Sequence, residues 1–463
     1  MANPLAYSTD SIQRKDLKLV RDNVHGNIFL EPIFLKFVDT EQFQRLRDLK
    51  QLGLSHMVYP GAVHTRFEHS LGVYWLADKA MDILKRHQGA ELGIERSDVL
   101  TVKLAGLLHD VGHGPFSHAF EHGFLPLVLN GATWNHEEMS VKMVDHIVDQ
   151  HNIDIDPELL KKAKEMITSS SVHPPQKIKE KQFLYDIVAN GRNGIDVDKF
   201  DYIVRDSRAC GLGRNFQPDR LMETMQVLDN EICYRSQDYL TIHKLFATRA
   251  DLHRTVYTHP KVKASDFPKF CYAKAKLQVF SAFHLRKHLA FLCQAIELMV
   301  MDALVKANPY LNIVSSIHQP SDFWKLDDSI LKTIESSTSP ELQESRDLVQ
   351  RIRRRKLYQS GGANLKEEDV AVSVVKIDLT RGSENPLERI KFFKDYESKE
   401  KLTITNDRIS HLLPVFYQDT IVRVYSKKPE LVDAVADAFE NYQLKKFGKT
   451  AQVHGTPKKP RRA

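Results

Sequence analysis

A His–Asp pair at residues 109 and 110 is the feature of the sequence best suited to chemistry. The apolar residues of 99–108 cover nearly every side of the helix that they predict, so this helix should be buried. A carboxylate at the end of a buried helix is costly unless it is paired or bound to a cation. His109 and Asp110 are therefore predicted to be two metal ligands, and an internal His–Asp hydrogen bond is the alternative.

Two residues elsewhere in the chain extend this ligand set. His69 and Asp198 offer a second imidazole and a second carboxylate, although sequence spacing alone would not select them. Two imidazoles and two carboxylates suit a divalent transition metal such as Fe, Mn, Zn, Ni or Co. Such a centre keeps positions open for water and for substrate.

Polar residues at helical spacing form stripes on two further predicted helices. The stripes consist of Lys199, Tyr202 and Asp206 on one helix and of Arg249, His253 and Tyr257 on the other. Stripes of this kind are usually solvated helix faces. Because they contain Lys, Arg and Tyr and accompany an acidic metal motif, they are equally compatible with a site for an anionic ligand.

Hydrophobic periodicity predicts a mainly α-helical chain with a smaller mixed α/β lobe near the C-terminus. β-Branched, alternating residues predict strands at 370–379 and 421–425. The helices that the pattern predicts are 32–49, a helix from Arg66 through Leu84, 137–150, 157–167, 325–357 and 431–442.

Composition excludes several classes of protein. The 463 residues are 42% hydrophobic and 27% charged, which is ordinary for a globular protein, and no apolar run reaches the length of a membrane span. The four cysteines have no paired spacing, so a reducing compartment is favoured. The net charge of +6 arises from the tail at 445–463, which has seven basic residues and no acidic one. A near-neutral body argues against a dedicated nucleic-acid binder, whereas the tail is compatible with weak nucleic-acid binding or with a nuclear-localisation signal. Nuclear or cytosolic residence, or both, is expected.

The motifs around these residues resemble those of one known family. The H…HD…D pattern of His69, His109–Asp110 and Asp198 is similar to the signature of HD-domain metal phosphohydrolases. The longer blocks at 39–47, 66–73, 109–118 and 193–202 closely resemble the SAM-and-HD-domain deoxynucleoside triphosphate triphosphohydrolases. The resemblance covers roughly residues 16–440 and is greatest to the shorter plant members that lack a SAM domain.

Composition at the two ends and the resemblance between them together predict four segments. They are a disordered N-terminus at 1–15, an HD-domain helical core at 16–330, a C-terminal α/β lobe for regulation and oligomerisation at 331–444, and a disordered basic tail at 445–463. An unusual apolar stretch at 265–294, absent from the family, interrupts the core. It is either a lineage-specific surface loop or the product of alternative splicing or a retained intron, and its apolar composition favours the second interpretation.

The implied activity is hydrolysis of a dNTP to a deoxynucleoside and inorganic triphosphate, which would control cellular dNTP pools. The four ligands would hold a transition metal (Fe, Mn or Zn), and Mg²⁺ would accompany the triphosphate. His118 matches the general acid for the 5′-oxygen, and Glu121 and His136 match its supporting pair. The family commonly has Asp where this chain has Glu121.

The resemblance also implies a substrate site. Phosphate contacts match Arg66, His113, Lys199, Tyr202 and Arg249, while sugar contacts match Gln51, Leu52, Asp206 and Tyr257, with His253 on the same stripe. A bulky tyrosine at the 2′-carbon would reject ribonucleotides by exclusion. Thr258 replaces a glutamine of the family.

Activation by GTP and dNTP, with assembly from dimer to tetramer, is a further implication. The guanine-nucleotide site matches Lys18, Leu19, Asp39, Gln44 and Arg47. The adjoining dNTP site matches Val58, Tyr59, Arg220, Arg235, His259, Arg355 and Lys427. Four positions depart from the family there, namely Arg21, Gln237, Thr255 and Gln359, and three of these departures remove a positive charge. The alternatives to this activity are an HD phosphohydrolase acting on another nucleotide or on nucleic acid, and a non-enzymatic nucleic-acid-binding protein.

Overall fold

The computed structural model describes residues 16–129, 133–169, 180–213, 216–257, 295–358, 370–379, 385–404, 418–426 and 444. Several predicted features lie outside these residues: the N-terminal segment 1–15, the stretch 265–294, the helix 431–442, the tail 445–463, and the site candidates His259 and Lys427. The predicted domain boundaries stay predictions.

The first half of the chain is a short hairpin followed by helices. The hairpin strands are β1 (Lys18–Asp22) and β2 (Gly26–Leu30), which pair antiparallel. The helices are α1 (Pro32–Val38), α2 (Glu41–Gln44), α3 (Arg66–Leu92), α4 (Arg96–Leu108), α5 (Leu125–Val128), α6 (His136–His151) and α7 (Pro157–Ile167). A π-helical turn at Ala119–Phe124 precedes α5.

The second half adds the remaining helices and three small strand pairings. The helices are α8 (Tyr185–Val188), α9 (Val197–Ala209), α10 (Asp219–Thr224), α11 (Tyr239–Leu252), α12 (Ala295–Leu311), α13 (Ile313–Ser316), α14 (Pro320–Phe323), α15 (Ile330–Ser336) and α16 (Gln343–Arg353). The strands are β3 (Gln226–Leu228), β4 (Glu231–Arg235), β5 (Val370–Asp378), β6 (Phe392–Phe393) and β7 (Gln418–Ser426). β3 pairs antiparallel with β4, β4 pairs parallel with β6, and β5 pairs antiparallel with β7. The mainly α-helical fold with a smaller mixed region is confirmed.

Helix α3 is the central element of the core because α4 and α9 both pack against it. Its first turn is closed by a capping box in which the Thr65 N–H donates to the Glu68 carboxylate at 2.9 Å. Close approach of α4 depends on Gly106, where a Cβ would lie 3.3 Å from the Ala77 Cβ. Most of the apolar residues predicted to bury α4 are buried, as at Leu104 and Leu107, whereas Val99 and Leu100 are partly buried. Helices α3, α4 and α9 together carry or adjoin all four predicted metal ligands.

Two helices predicted to be continuous are each divided into shorter helices, so these two predictions are wrong. The helix predicted at 32–49 is divided into α1, α2 and a 3₁₀ turn, because the Thr40 hydroxyl caps the second piece and donates to the Phe37 carbonyl. The helix predicted at 325–357 is divided into α15 and α16 around Pro340, since proline disfavours helical geometry in the residue before it. Among the described residues, we find no helix that combines the length and apolar character needed to cross a bilayer.

Candidate active site

The four predicted metal ligands converge at the contact between α3, α4 and α9. His69 lies in the first turns of α3, His109 caps the end of α4, Asp110 follows it, and Asp198 is in the first turn of α9. The Nε2 atom of His69 lies 3.1 Å from an Asp198 oxygen and 3.5 Å from an Asp110 oxygen. The Nε2 atom of His109 lies 3.6 Å and 3.4 Å from the same two carboxylates.

Hydrogen bonds at the other ring nitrogens fix the tautomers of both imidazoles. His69 Nδ1 lies 2.7 Å from an Asp201 oxygen, and His109 Nδ1 lies 2.9 Å from the Gly106 carbonyl. Because both partners are acceptors, each Nδ1 must be a donor, so in the neutral ring the lone pair is on Nε2. Neither buried Nε2 has a hydrogen-bond partner of its own among the described residues. Two orphaned imidazole nitrogens facing two carboxylates fit a divalent cation.

The carboxylates around His69 make the electrostatic potential at its ring negative. Burial alone would lower the pKa of His69, but Asp198, Asp201 and Asp110 raise it to about 10. Burial likewise opposes ionisation of Asp110, yet Arg66 and His109 hold the pKa of that carboxyl well below its usual range. Arg66, the first residue of α3, donates to Asp110 and also to the Ser117 hydroxyl at 2.9 Å. The field that favours protonated imidazoles is the one that a bound dication would neutralise.

Beside the ligand set lies a second group of titratable residues, His113, His118, Glu121 and His136. Each offers one nitrogen or carboxylate oxygen that could bind a metal ion, and these atoms lie within 4.8 Å of one another. The His113 ring stacks on the His136 ring at 3.8 Å, and the His118 ring meets the His136 ring edge-on at 5.4 Å. His136 is the first residue of α6, whose backbone approaches so closely that a Cβ on Gly112 would lie 2.1 Å from the Ser140 nitrogen.

A cavity of about 360 Å³ opens onto both groups, a volume within the range of small-molecule sites. Eleven of the predicted residues line it: Gln51, Leu52, Arg66, His118, Asp198, Lys199, Tyr202, Asp206, Arg249, His253 and Tyr257. The two polar stripes thus line one cavity and are not two separate solvated helix faces. Arg66, Lys199 and Arg249 supply it with positive charge, which suits an anionic ligand.

Asp206 is held in the cavity wall by contacts to both of its carboxylate oxygens. One carboxylate oxygen lies 2.7 Å from His64 Nε2, and the other accepts a hydrogen bond from the Tyr257 hydroxyl at 2.5 Å. Burial, followed by the nearby Asp206 charge, raises the pKa of Tyr257 well above its usual value, so the hydroxyl stays a donor at neutral pH. Tyr257 closes a π-helical turn at His253–Tyr257 that follows α11.

Lys199 is partly buried and lies beside a carboxylate. Its Nζ lies 2.8 Å from an oxygen of Asp196, the residue that also caps α9. Burial would lower the pKa of Lys199, but Asp196 raises it, so the ammonium group stays charged in the cavity wall.

Several residues that hold the site were missed by sequence reasoning. Asp201 contacts His69, and Asp328 accepts the backbone N–H groups of Phe116 and Lys50 at 2.7 and 3.0 Å. Arg45 donates to the His113 carbonyl at 2.7 Å and so ties down the loop after α4. Further cavity-lining residues that were missed are Gly53, Leu54, Ser55, Phe116, Ser117, Ala119 and Glu297. Only Asp201 had a sequence signal, because an acidic residue three positions after Asp198 faces the same side of a helix.

The predicted activator residues fall on several elements. Gln44 and Arg47 are adjacent, since Arg47 Nε donates to the Gln44 amide oxygen at 2.7 Å, and Arg47 also covers the Phe67 ring. Lys18 and Leu19 lie on β1, and Asp39 caps the end of α1. Arg355 donates to the Met57 carbonyl, next to Val58 and Tyr59. Arg220 and Arg235 flank the segment before α11, where they donate to Asp238 and Gln237.

The class of the protein follows from the match of this region to a known domain. The HD domain family matches residues 66–202, from the first residue of α3 into α9. The matched range contains His69, His109, Asp110 and Asp198. The chain therefore contains an HD domain.

Comparison with whole proteins narrows the class further. The deoxynucleoside triphosphate triphosphohydrolase SAMHD1 homolog of Dictyostelium discoideum is 35% identical over an alignment that covers 95% of this chain and 83% of that protein. The deoxynucleoside triphosphate triphosphohydrolase SAMHD1 is 33% identical in Bos taurus and in Homo sapiens, and each alignment covers 89% of this chain. These alignments cover 76% of the bovine protein and 71% of the human one. The chain belongs to the SAMHD1 family.

Proposed function

We propose that this protein is a metal-dependent dNTP triphosphohydrolase that converts a dNTP and water into a deoxynucleoside and inorganic triphosphate. One observation supports this most strongly: Asp198 belongs both to the cluster of orphaned imidazoles and to the wall of a cavity that also contains Arg66, Lys199 and Arg249. A metal position and a polyphosphate position therefore adjoin. The names of the relatives support the same substrate class.

His69, His109, Asp110 and Asp198 would hold a transition metal, Fe, Mn or Zn, and Mg²⁺ would enter with the triphosphate. Metal ions at this position supply a water that is nucleophilic at neutral pH and stabilise negative charge on the phosphate. Arg66, Lys199 and Arg249 would hold the phosphates by charge-assisted hydrogen bonds. Tyr202 and His113 complete this contact set.

His118 would donate its proton to the 5′-oxygen as the bond between that oxygen and the α-phosphorus breaks. It lines the cavity, and its ring contacts those of His113 and His136. Glu121 would keep His136 protonated, because the two side chains lie 2.6 Å apart. His136 and Glu121 would thus set the orientation and the proton supply of the general acid.

The sugar would occupy the end of the cavity near Asp206. Asp206 and Gln51 would receive the 3′-hydroxyl, and Leu52 and Tyr257 would pack against the ring. Since Tyr257 is fixed by its hydrogen bond to Asp206, its ring would exclude a 2′-hydroxyl.

Regulation is part of the proposal. We infer a guanine-nucleotide site at Lys18, Leu19, Asp39, Gln44 and Arg47 and a neighbouring dNTP site that includes Val58, Tyr59, Arg220, Arg235 and Arg355. Ligands at these sites would favour assembly from dimer to tetramer, with the segment 331–444 contributing to assembly. The basic tail 445–463 would direct the protein to the nucleus, with cytosolic residence as the alternative.

One assay tests the central proposal. The purified protein is incubated with each dNTP and Mg²⁺ or Mn²⁺, with and without GTP, and the products are separated by chromatography. Deoxynucleoside and triphosphate are expected. Orthophosphate or pyrophosphate as the main product would indicate an HD phosphohydrolase of another specificity, and binding of single-stranded RNA by an inactive protein would indicate a nucleic-acid-binding function instead.

A further inference from the structure

Asp201 is a fully buried carboxylate that four hydrogen bonds converge upon. It lies three residues after Asp198 on α9, and none of its surface is exposed. One oxygen lies 2.7 Å from His69 Nδ1, and the other lies 2.6 Å from His25 Nε2. Arg205, one turn further along α9, donates to both oxygens at 2.8 Å. Asp201 therefore has every acceptor direction filled in one fixed geometry.

The same group of contacts reaches the β1–β2 hairpin. Arg205 Nη1 donates to Asp22, the last residue of β1, at 2.9 Å. Asp22 in turn accepts the backbone N–H groups of Val24 and His25, which shapes the turn that carries the His25 ring. Arg205 and Asp22 are 1% and 7% exposed, so these charges interact with little solvent screening.

We propose that Asp201 is a positioning residue for the metal ligand His69, and that Asp201 and Arg205 transmit the position of the β1–β2 turn to the metal centre. The contact to Nδ1 selects the tautomer of His69 whose Nε2 faces Asp110 and Asp198. A carboxylate behind a ligating imidazole raises its basicity and fixes its ring plane. Displacement of the hairpin turn would move His25 and Asp22, and through Asp201 it would move His69. Because β1 also carries Lys18 and Leu19, the contacts join a predicted activator strand to the metal.

A glycine on α3 provides a selective way to disturb Asp201. Gly72 lies one turn after His69, and a Cβ there would come within 2.0 Å of an Asp201 oxygen and 2.6 Å of Arg205 Nη2. Alanine ordinarily favours a helix over glycine by about 1 kcal/mol, so this substitution harms nothing in α3 itself. Gly89, on the same helix, is the matched control, because a Cβ there would meet only the flexible Lys85 side chain, at 3.2 Å.

The inference rests on the metal site of the proposed function, and it is tested on the full chain by metal affinity rather than by turnover. Mn²⁺ binding is measured by calorimetry for the wild type and for Asp201→Asn, Gly72→Ala and His25→Phe. The last variant keeps an aromatic ring against Trp75, on which His25 stacks, but removes the contact to Asp201. Circular dichroism in the absence of metal selects a temperature at which every variant is folded.

We expect Asp201→Asn and Gly72→Ala to raise the Kd for Mn²⁺ about 10- to 100-fold, the usual effect of losing an outer-shell partner. His25→Phe should weaken Mn²⁺ binding in the same direction but less. Gly89→Ala, and Asn27→Ala on the exposed side of the hairpin, should leave the Kd unchanged. The absorption spectrum of the Co²⁺-loaded protein should change in the first three variants and not in the two controls.

The outcomes separate the two proposals. A wild type that binds no Mn²⁺ or Co²⁺ overturns both the metal-dependent function and this inference. A wild type that binds metal, together with folded Asp201→Asn and Gly72→Ala proteins of unchanged Kd and Co²⁺ spectrum, overturns the inference alone. Unchanged binding in His25→Phe, with weaker binding in the other two variants, overturns the connection to the hairpin.

Discussion

The Nδ1 atom of His136 lies 2.6 Å from the Oε2 atom of Glu121. The family commonly has the shorter aspartate where this chain has Glu121. The π-helical turn at Ala119–Phe124 carries Glu121 and sets its carboxylate against the start of α6. The longer side chain therefore reaches its partner. The substitution of Glu for Asp therefore lengthens the side chain that supports His136 and keeps the contact.

Replacement of Glu121 by Gln should slow turnover about 10- to 100-fold, because His136 loses the charge that favours its protonated form. The steady-state rate of deoxynucleoside formation across pH gives the measurement, and the alkaline limb of the profile should move to lower pH. Glu121→Asp, the residue common in the family, should retain more activity than Glu121→Gln. Equal loss in the two variants would contradict a role for the carboxylate charge.

The same pair should leave a signature in stability. Burial acts against both charges, but the contact lowers the pKa of Glu121 from 4.5 and raises that of His136 from 6.5. An acid whose pKa is lowered by folding stabilises the fold at pH values above its unfolded pKa. A base whose pKa is raised by folding stabilises the fold at pH values below its unfolded pKa. The contribution should thus be complete between about pH 4.5 and pH 6.5 and decline on both sides. Urea unfolding of wild type and Glu121→Gln across pH should give the largest difference inside that window. A difference independent of pH would contradict it.

Removal of one metal ligand should separate metal content from folding. Asp110→Asn is expected to bind less than a tenth of the wild-type Mn²⁺ and to lose at least about 10³-fold in turnover, because a charged ligand is lost while the cation Arg66 stays buried. Metal per chain by mass spectrometry and product formation give the two readouts. Asp82→Asn, on the partly exposed side of α3, is the control and should resemble the wild type. Full turnover in Asp110→Asn would remove this residue from the centre.

Selection against ribonucleotides should depend on the ring of Tyr257 and not on its hydroxyl. Tyr257→Phe keeps the ring but leaves Asp206 with one partner fewer, so kcat/KM for dCTP and CTP should fall together. Tyr257→Ala opens the space beside the 2′-carbon and should raise the ratio of kcat/KM for CTP over dCTP by about 10-fold or more. An unchanged ratio in Tyr257→Ala would mean that another residue excludes the 2′-hydroxyl.

Local patterns predicted much of this site. The apolar run of α4, the position of His109–Asp110 at its end and the helical spacing of Lys199, Tyr202 and Asp206 all follow from residues near one another in sequence. The sequence left open whether the two polar stripes are solvated helix faces or line a site for an anionic ligand. Spacing cannot reveal which face of a helix meets another element.

The parts that were not predicted depend on distant contacts or on unusual backbone. His25 is 176 residues from Asp201, so no pattern in either segment announces their contact. Phe116 and Ser117 have φ angles of 60° and 59°, in the left-handed region that glycine would signal and these residues do not. The division of 32–49 into short helices depends on the hydroxyl of Thr40, which outweighs a continuous apolar periodicity.

Asp328 holds that left-handed turn to the neighbouring loop. One of its oxygens accepts the Phe116 N–H and the other accepts the Lys50 N–H, so the backbone beside His118 and the backbone beside Gln51 share one carboxylate. Its side chain is 6% exposed. Burial raises its pKa to about 6, although the two N–H groups act in the opposite direction.

The raised pKa gives a prediction of definite sign. A carboxyl that ionises near pH 3.8 when unfolded and near pH 6 when folded binds its proton more tightly in the native state, so its contribution to stability falls as pH rises between these values. Asp328→Asn cannot titrate, and one of its two backbone contacts is lost because the amide nitrogen accepts no hydrogen bond. The variant should be less stable than the wild type at pH 4, and this deficit should shrink by up to about 3 kcal/mol towards pH 7. Urea unfolding at intervals from pH 4 to pH 7 measures the deficit. Asp322→Asn, at an exposed carboxylate that pairs with Lys325, is the control and should lack this trend. A deficit that grows with pH would mean that Asp328 is ionised throughout, with its two backbone hydrogen bonds outweighing the cost of burial.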